Sequence, residues 1–109
     1  MSSAAAMREK LYREINVISN EYRKKTRDMY EEFNKNKAFT LQAIEKEYIT
    51  EVMNLEGQES KLIELRKNFE ATKYKALNKV EDEYIKNRYK MEKEGIQMIK
   101  TLKEAAIAI

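Results

Sequence analysis

Clusters of carboxylates are the residues whose type and spacing come closest to chemistry in this chain of 109 residues. Di-metal helical bundles combine Glu with Glu-x-x-His pairs on their inward faces, and this chain contains no His. The acids also lie off the apolar stripe described below, so we interpret them as part of a solvated helix face. The clusters are Glu45/Glu47, Glu81/Asp82/Glu83 and Glu92/Glu94.

The composition excludes several other kinds of site. Without Cys or His the chain has no ligand set for a zinc finger, no disulfide framework, no thiol nucleophile and no imidazole base. Its Ser and Thr residues have no base partner, and no Gly-rich phosphate loop is present. We therefore expect a protein that is not an enzyme and that has no cofactor, metal or small-molecule ligand.

One dense basic run is the candidate for nucleic-acid contact: Arg23, Lys24, Lys25 and Arg27. Neighbouring acids at helical spacing offer ion-pair partners, so the run also fits an ordinary solvated surface. The net charge is only +3 and the two signs are interspersed along the chain, unlike the one-sided basic face of a nucleic-acid-binding protein. Direct contact with nucleic acid at this run stays open.

Targeting signals are not evident. No apolar run is long enough to span a membrane, so we expect no membrane partner. Residues 1–6 lack the basic stretch and apolar core of a secretory signal, which predicts an intracellular protein.

The apolar pattern predicts a long helix. The chain is 38% charged, has no Pro and has only two Gly, which is typical of a long helix or coiled coil. Five apolar residues recur every seven positions and cross Gly57 without a change of phase: Leu41, Tyr48, Leu55, Leu62 and Phe69. We predict an all-α fold with a mostly continuous coiled-coil helix over 7–105, a flexible segment at 1–6 and a C-terminal tip at 106–109.

A helical hairpin broken near Gly57 is the alternative. Gly57 would then end one helix and Ser60 would cap the next. The continuous helix is favoured because a turn has no reason to preserve the phase of the stripe. One Gly inside a helix costs only about 1 kcal/mol relative to Ala, which a long packed stripe can offset.

An internal repeat supports regular helical packing. Phe33, Leu41 and Tyr48 match Phe69, Leu77 and Tyr84 at an offset of 36 residues. Since 36 residues make ten turns of a 3.6-residue helix, matched side chains fall on the same face.

A single helix of this kind requires partner chains, because an exposed apolar stripe would leave it marginal in water. The wide stripe with bulky Tyr and Phe favours a four-helix bundle, and thus a homotetramer or a pairing with a related coiled-coil chain. A parallel dimer is the alternative. The predicted oligomer interface is Leu41, Ile44, Tyr48, Val52, Leu55, Leu62, Leu65, Phe69, Leu77, Val80, Tyr84, Met91 and Met98. Ile107 and Ile109 either end the coil or make end-to-end contacts.

Residues 40–95 resemble the central coil of the meiotic chromosome-axis proteins, the family that forms lateral-element filaments in the synaptonemal complex. The segment Glu56–Leu65 carries the resemblance, with Ile44, Tyr48, Val52 and Leu55 before it and Leu77, Val80 and Tyr84 after it. The resemblance implies homotetrameric or mixed helical bundles that join end to end into filaments, and a nuclear, chromosomal location. This chain has no long basic extension before the coil, where some members of the family contact DNA.

We therefore expect a structural, self-assembling coiled-coil protein that forms elongated oligomers or filaments and organises meiotic chromosome axes. The alternative is an adaptor coil that pairs with a different subunit of a chromatin-associated or other multiprotein complex.

Overall fold

The structure, a computed structural model, describes residues 3–109 and is all-α. Helix α1 spans Ser3–Asn54 and helix α2 spans Glu59–Ala108, and the two pack antiparallel as a helical hairpin. The absence of Pro and the abundance of Glu, Lys and Ala allow such long uninterrupted helices. By contacts the chain divides into a terminal unit, Met1–Tyr30 with Ile85–Ile109, and a turn unit, Glu31–Tyr84.

The prediction of a helix that runs through Gly57 is wrong, and the alternative hairpin is confirmed. The backbone N–H of Leu55 still donates to the carbonyls of Glu51 and Val52, at 3.1 and 3.2 Å. The N–H of Gln58 then donates to the carbonyl of Leu55 at 3.0 Å, which closes a four-residue turn. Gly57, the third residue of this turn, has a φ of 83°. Positive φ at that position is what a type II turn requires, and Gly adopts it without steric cost.

The start of α2 differs from the one predicted for the hairpin, in which Ser60 caps the second helix. The carbonyl of Gln58 accepts the first bond of α2, from the N–H of Leu62 at 3.0 Å. Gln58 is therefore the N-cap residue, whereas Ser60, the predicted cap, already lies inside the helix. Glu59 places a negative charge in the first turn, where it favours the positive end of the helix dipole.

The seam between the helices follows an eleven-residue step. In α1 the half-buried residues Leu11, Tyr22, Phe33 and Ile44 recur at this spacing, and Leu55 continues it at the turn. In α2 the half-buried or buried residues Leu62, Lys73, Tyr84, Gly95 and Ala106 do the same. Eleven residues make three turns of about 3.67 residues, so each row stays on one side of its helix.

The predicted end segments belong largely to the helices. Helix α1 includes residues 3–6, while Met1 and Ser2 lie outside the described residues. Helix α2 continues to Ala108 and therefore includes most of the predicted tip at 106–109.

Candidate interaction surfaces

Two stacked aromatic pairs join the helices in the turn unit. The rings of Tyr48 and Phe69 lie 4.1 Å apart between centroids and 16° from parallel. The rings of Phe33 and Tyr84 lie 4.4 Å apart and 20° from parallel. Both centroid distances lie just below the usual range for aromatic pairs, as expected for rings in close face-to-face contact. Fifteen residues separate the two pairs on each helix, so the antiparallel register is the same at both pairs.

The internal repeat has a geometric counterpart in these pairs. The offset of 36 residues matches Phe33 with Phe69 and Tyr48 with Tyr84, and each contact joins a Phe of one repeat to a Tyr of the other. The amine of Lys37 lies 5.9 Å from the Phe33 ring centroid. The matched Lys73 lies 5.7 Å from the Phe69 ring centroid. The turn unit is thus approximately two-fold symmetric, and its seam is self-complementary.

Close packing around Gly95 distinguishes the terminal unit. A Cβ placed on Gly95 would lie 2.9–3.2 Å from three ring atoms of Tyr22, too close for a real side chain. The Tyr22 hydroxyl donates to the sulfur of Met98 at 3.3 Å, and Lys25 lies 4.8 Å above the ring. The Thr26 hydroxyl donates to the Tyr22 carbonyl at 2.8 Å, which satisfies a polar group at the seam.

The thirteen predicted interface residues largely line the seam of the hairpin. Twelve of them are buried or half-buried, and Met98 is 47% exposed. Tyr48, Phe69 and Tyr84 make the aromatic contacts described above. The structure therefore brings residues from both halves of this set together inside one chain. Their contact with other chains stays a prediction.

Two of the four buried residues among residues 3–109, Gly95 and Ala106, were missed by sequence reasoning. Met91 belongs to the predicted interface, and Ile15 follows the apolar stepping of the sequence upstream of that interface. Gly and Ala give no apolar signal, so a stripe of large side chains does not reveal them. The eleven-residue row of α2 would have identified Gly95 and Ala106, since both continue it beyond Tyr84.

A second row on α2 faces solvent, and we call it the outer row. Its five members are 55–81% exposed and account for five of the seven large apolar side chains exposed on α2. They recur every eleven residues, which keeps them on one side of the helix. The outer row consists of Ile63 and Tyr74 in the turn unit and Ile85, Ile96 and Ile107 in the terminal unit.

Acidic residues accompany the outer row at the same spacing. A Glu lies four residues before each of its first four members, and thus one turn away on the same side of α2. These residues are Glu59, Glu70, Glu81 and Glu92. Glu92 also forms an ion pair with Arg88 at 2.8 Å, in which both side chains are about half exposed.

The basic run lies on the surface of α1. Arg23, Lys24, Lys25 and Arg27 are all exposed. Since successive helical residues are about 100° apart, Arg23, Lys24 and Arg27 fall within an arc of about 100°, whereas Lys25 points to another side, where its amine lies over the Tyr22 ring. Three of the four charges thus share one side of α1, and nucleic-acid contact there stays a prediction.

The remaining candidates are the acids and the C-terminus. Within residues 3–109, no group of three or more acidic side chains is arranged to hold a metal ion. No helix in this range has the length and apolar character needed to cross a membrane. Ile107 is 81% exposed, whereas Ile109 is half-buried.

Comparison with known proteins adds no family to this description. The chain matches no protein-family model, and searches of curated proteins and of solved structures found no significant match.

Proposed function

We propose that this protein is a structural assembly module whose hairpin packs its outer row against another helical chain, in the first place a second copy of itself. The observation that carries the proposal is the regular spacing of five exposed apolar side chains along α2. Single exposed apolar residues are common on protein surfaces, but an ordered row is typical of an interaction site.

The energetics favour association. Full burial of an Ile contributes roughly 1.5–3 kcal/mol, and four of the five row members are Ile. A partner that covers the row must present apolar side chains at a matching eleven-residue spacing. This chain carries that spacing itself, so a second copy meets the requirement.

Two hairpins packed in this way supply four helices. The predicted four-helix bundle then needs two chains rather than four, because each chain contributes both α1 and α2. Exposed Ile107 near the C-terminus supports the narrower proposal of end-to-end contacts and filaments. A role in meiotic chromosome axes remains a prediction from the resemblance over 40–95, a segment that contains the turn at residues 55–58.

Charge substitutions in the outer row test the proposal. The double variant Ile85→Lys/Ile96→Lys should be monomeric in sedimentation velocity while it keeps the helical circular dichroism of the unchanged chain. The matched control is Val17→Lys/Phe39→Lys, which changes two exposed apolar side chains outside the row. The control should keep the mass of the unchanged chain. An outer-row variant with unchanged mass, or an unchanged chain that is monomeric at high concentration, would contradict self-association.

An adaptor function is the second candidate, and the row of Glu residues beside the outer row favours it. In an antiparallel pairing of two identical α2 helices, these acids would face each other and repel. A different helix with Lys or Arg along its flank would instead pair with them. Salt separates the two cases: screening should strengthen a self-association limited by this repulsion, and weaken a complex with a basic partner.

A further inference from the structure

We propose that the seam between α1 and α2 also forms between two copies of this chain. In this form the turn opens, the helix runs through Gly57, and α2 of each copy packs on α1 of the other. Such an exchange of an identical element keeps the contacts of the hairpin and makes them intermolecular. We call it arm exchange, where the two arms are α1 and α2. The contacts between the two copies are those of the seam, and docking through the outer row is not part of the proposal.

The apolar pattern that continues through the turn is the first observation. The outer row extends backwards at the same eleven-residue step into α1, through Val52, Leu41 and Tyr30. In the hairpin the turn divides this row between two helices. In a helix that continues through Gly57 all eight residues would lie on one side, because eleven residues complete three turns. The seven-residue step from Leu41 to Phe69 crosses the turn in the same way.

The symmetry of the turn unit is the second observation. The pairs Phe33–Tyr84 and Tyr48–Phe69 exchange under the offset of 36 residues, so the two helices present equivalent surfaces to each other. Two antiparallel copies of one helix are related by a two-fold axis and need a self-complementary interface. The seam already has this property within one chain.

The turn itself depends on one residue with positive φ. Gly57 has a φ of 83°, and no non-Gly residue with positive φ occurs among residues 3–109. A Cβ added to Gly57 would meet no atom within 4 Å. A substitution there therefore strains the backbone of the turn without disturbing any packing, so it acts on the choice between turn and helix.

The variant Gly57→Ala tests the proposal. Ala disfavours the left-handed conformation of the turn and favours a continuous helix relative to Gly, so the equilibrium constant for opening the turn should rise about 30-fold per chain. Since two turns open for each dimer, the association constant should rise by about 1,000-fold. Glu56→Ala is the matched control, because it brings Ala to the same turn without a positive φ. Both are placed in the Ile85→Lys/Ile96→Lys background, which removes docking through the outer row, and sedimentation velocity should show a dimer for Gly57→Ala and a monomer for Glu56→Ala.

Spin labels distinguish arm exchange from docking of outer rows. Because the chain has no Cys, Asn34→Cys and Glu81→Cys introduce the only two labelling sites. These residues are nearly level in the hairpin, but 47 residues of continuous helix separate them by about 70 Å. In Gly57→Ala diluted with unlabelled Gly57→Ala chains, the distance within one chain should change to the long value. Mixing singly labelled copies should produce a short distance between chains. Docking of outer rows would leave the short distance within each chain.

Two results would overturn the proposal. One is a Gly57→Ala chain that keeps the short distance within each chain at every concentration. The other is a Gly57→Ala chain that loses its helicity, since the opened form is a folded helix. Neither result bears on the outer-row variants, so failure of arm exchange and failure of the proposed function are separate outcomes.

Discussion

The two units of the hairpin use the same seam spacing but pack in different ways. In the terminal unit Ile15, Met91, Gly95 and Ala106 are buried, with Ala106 only 2% exposed. In the turn unit no residue is buried, and the seam consists of half-buried side chains. The difference follows the size of the α2 residue in the eleven-residue row.

Small residues explain the burial in the terminal unit. Gly95 leaves room for the ring of Tyr22, and Ala106 continues the row eleven residues later. In the turn unit Tyr84 and Lys73 occupy the corresponding positions, and the seam is filled by face-to-face aromatic rings. Close backbone approach buries neighbouring side chains, whereas large rings between the helices leave their edges in solvent. This comparison leads to four predictions.

The largest expected effect is truncation of a buried side chain in the terminal unit. Ile15→Ala should lower the free energy of unfolding by about 3 kcal/mol, because it leaves a cavity in a closely packed site. Ile44→Ala makes the same chemical change at a half-buried position of the turn unit and should cost about half as much. Urea unfolding at one protein concentration measures both. Equal losses would show that the two units do not differ in packing.

Filling the space at Gly95 should be the next largest change. Gly95→Leu should cost about 2 kcal/mol, because the new side chain overlaps the Tyr22 ring. Adding Tyr22→Ala should recover most of this loss, since it removes the ring that the Leu displaces. Lys93→Leu, at an exposed position of the same helix, is the control and should cause little change. If Gly95→Leu is neutral on its own, the close approach of the helices is not what stabilises this unit.

The approximate symmetry of the turn unit predicts matched losses. Phe33→Ala and Phe69→Ala each remove one stacked pair and should each cost about 1–2 kcal/mol. Their costs should agree within about 0.5 kcal/mol, because the two Phe residues occupy equivalent positions. Thermal or urea unfolding of both variants provides the comparison. A difference above about 1 kcal/mol would show that the repeat does not create equivalent environments.

The smallest expected effect concerns the two lysines above these rings. Lys37→Gln and Lys73→Gln should each cost no more than about 0.5 kcal/mol, since both amines lie at exposed or half-buried sites nearly 6 Å from a ring centroid. Equal small losses would sharpen the symmetry argument. A clear loss for only one lysine would locate an unequal contact on that side of the turn unit.

The sequence predicted the all-α class and most of the seam, because large apolar residues repeat at helical spacing. The heptads from Leu41 to Phe69 indicated which helix face is packed, but they did not indicate which helix packs against it. A seam filled by the other arm of the same chain leaves the same pattern as a seam filled by a second chain. Gly57 shows the limit most clearly, since one Gly fits both a helix interior and a turn with positive φ. The close contact between Gly95 and Tyr22 could not be predicted from the apolar stripe, because Gly has no side chain to contribute to it.

The most direct test of the hairpin is the distance between labels at Asn34→Cys and Glu81→Cys in a chain with Gly57 unchanged. The labelled chain is diluted with unlabelled chain, so that the dipolar signal reports only pairs within one molecule. Antiparallel packing predicts a short distance, set by an interaxial separation of about 8–10 Å and the reach of the labels. A distance near 70 Å as the only population would show a continuous helix and contradict the hairpin.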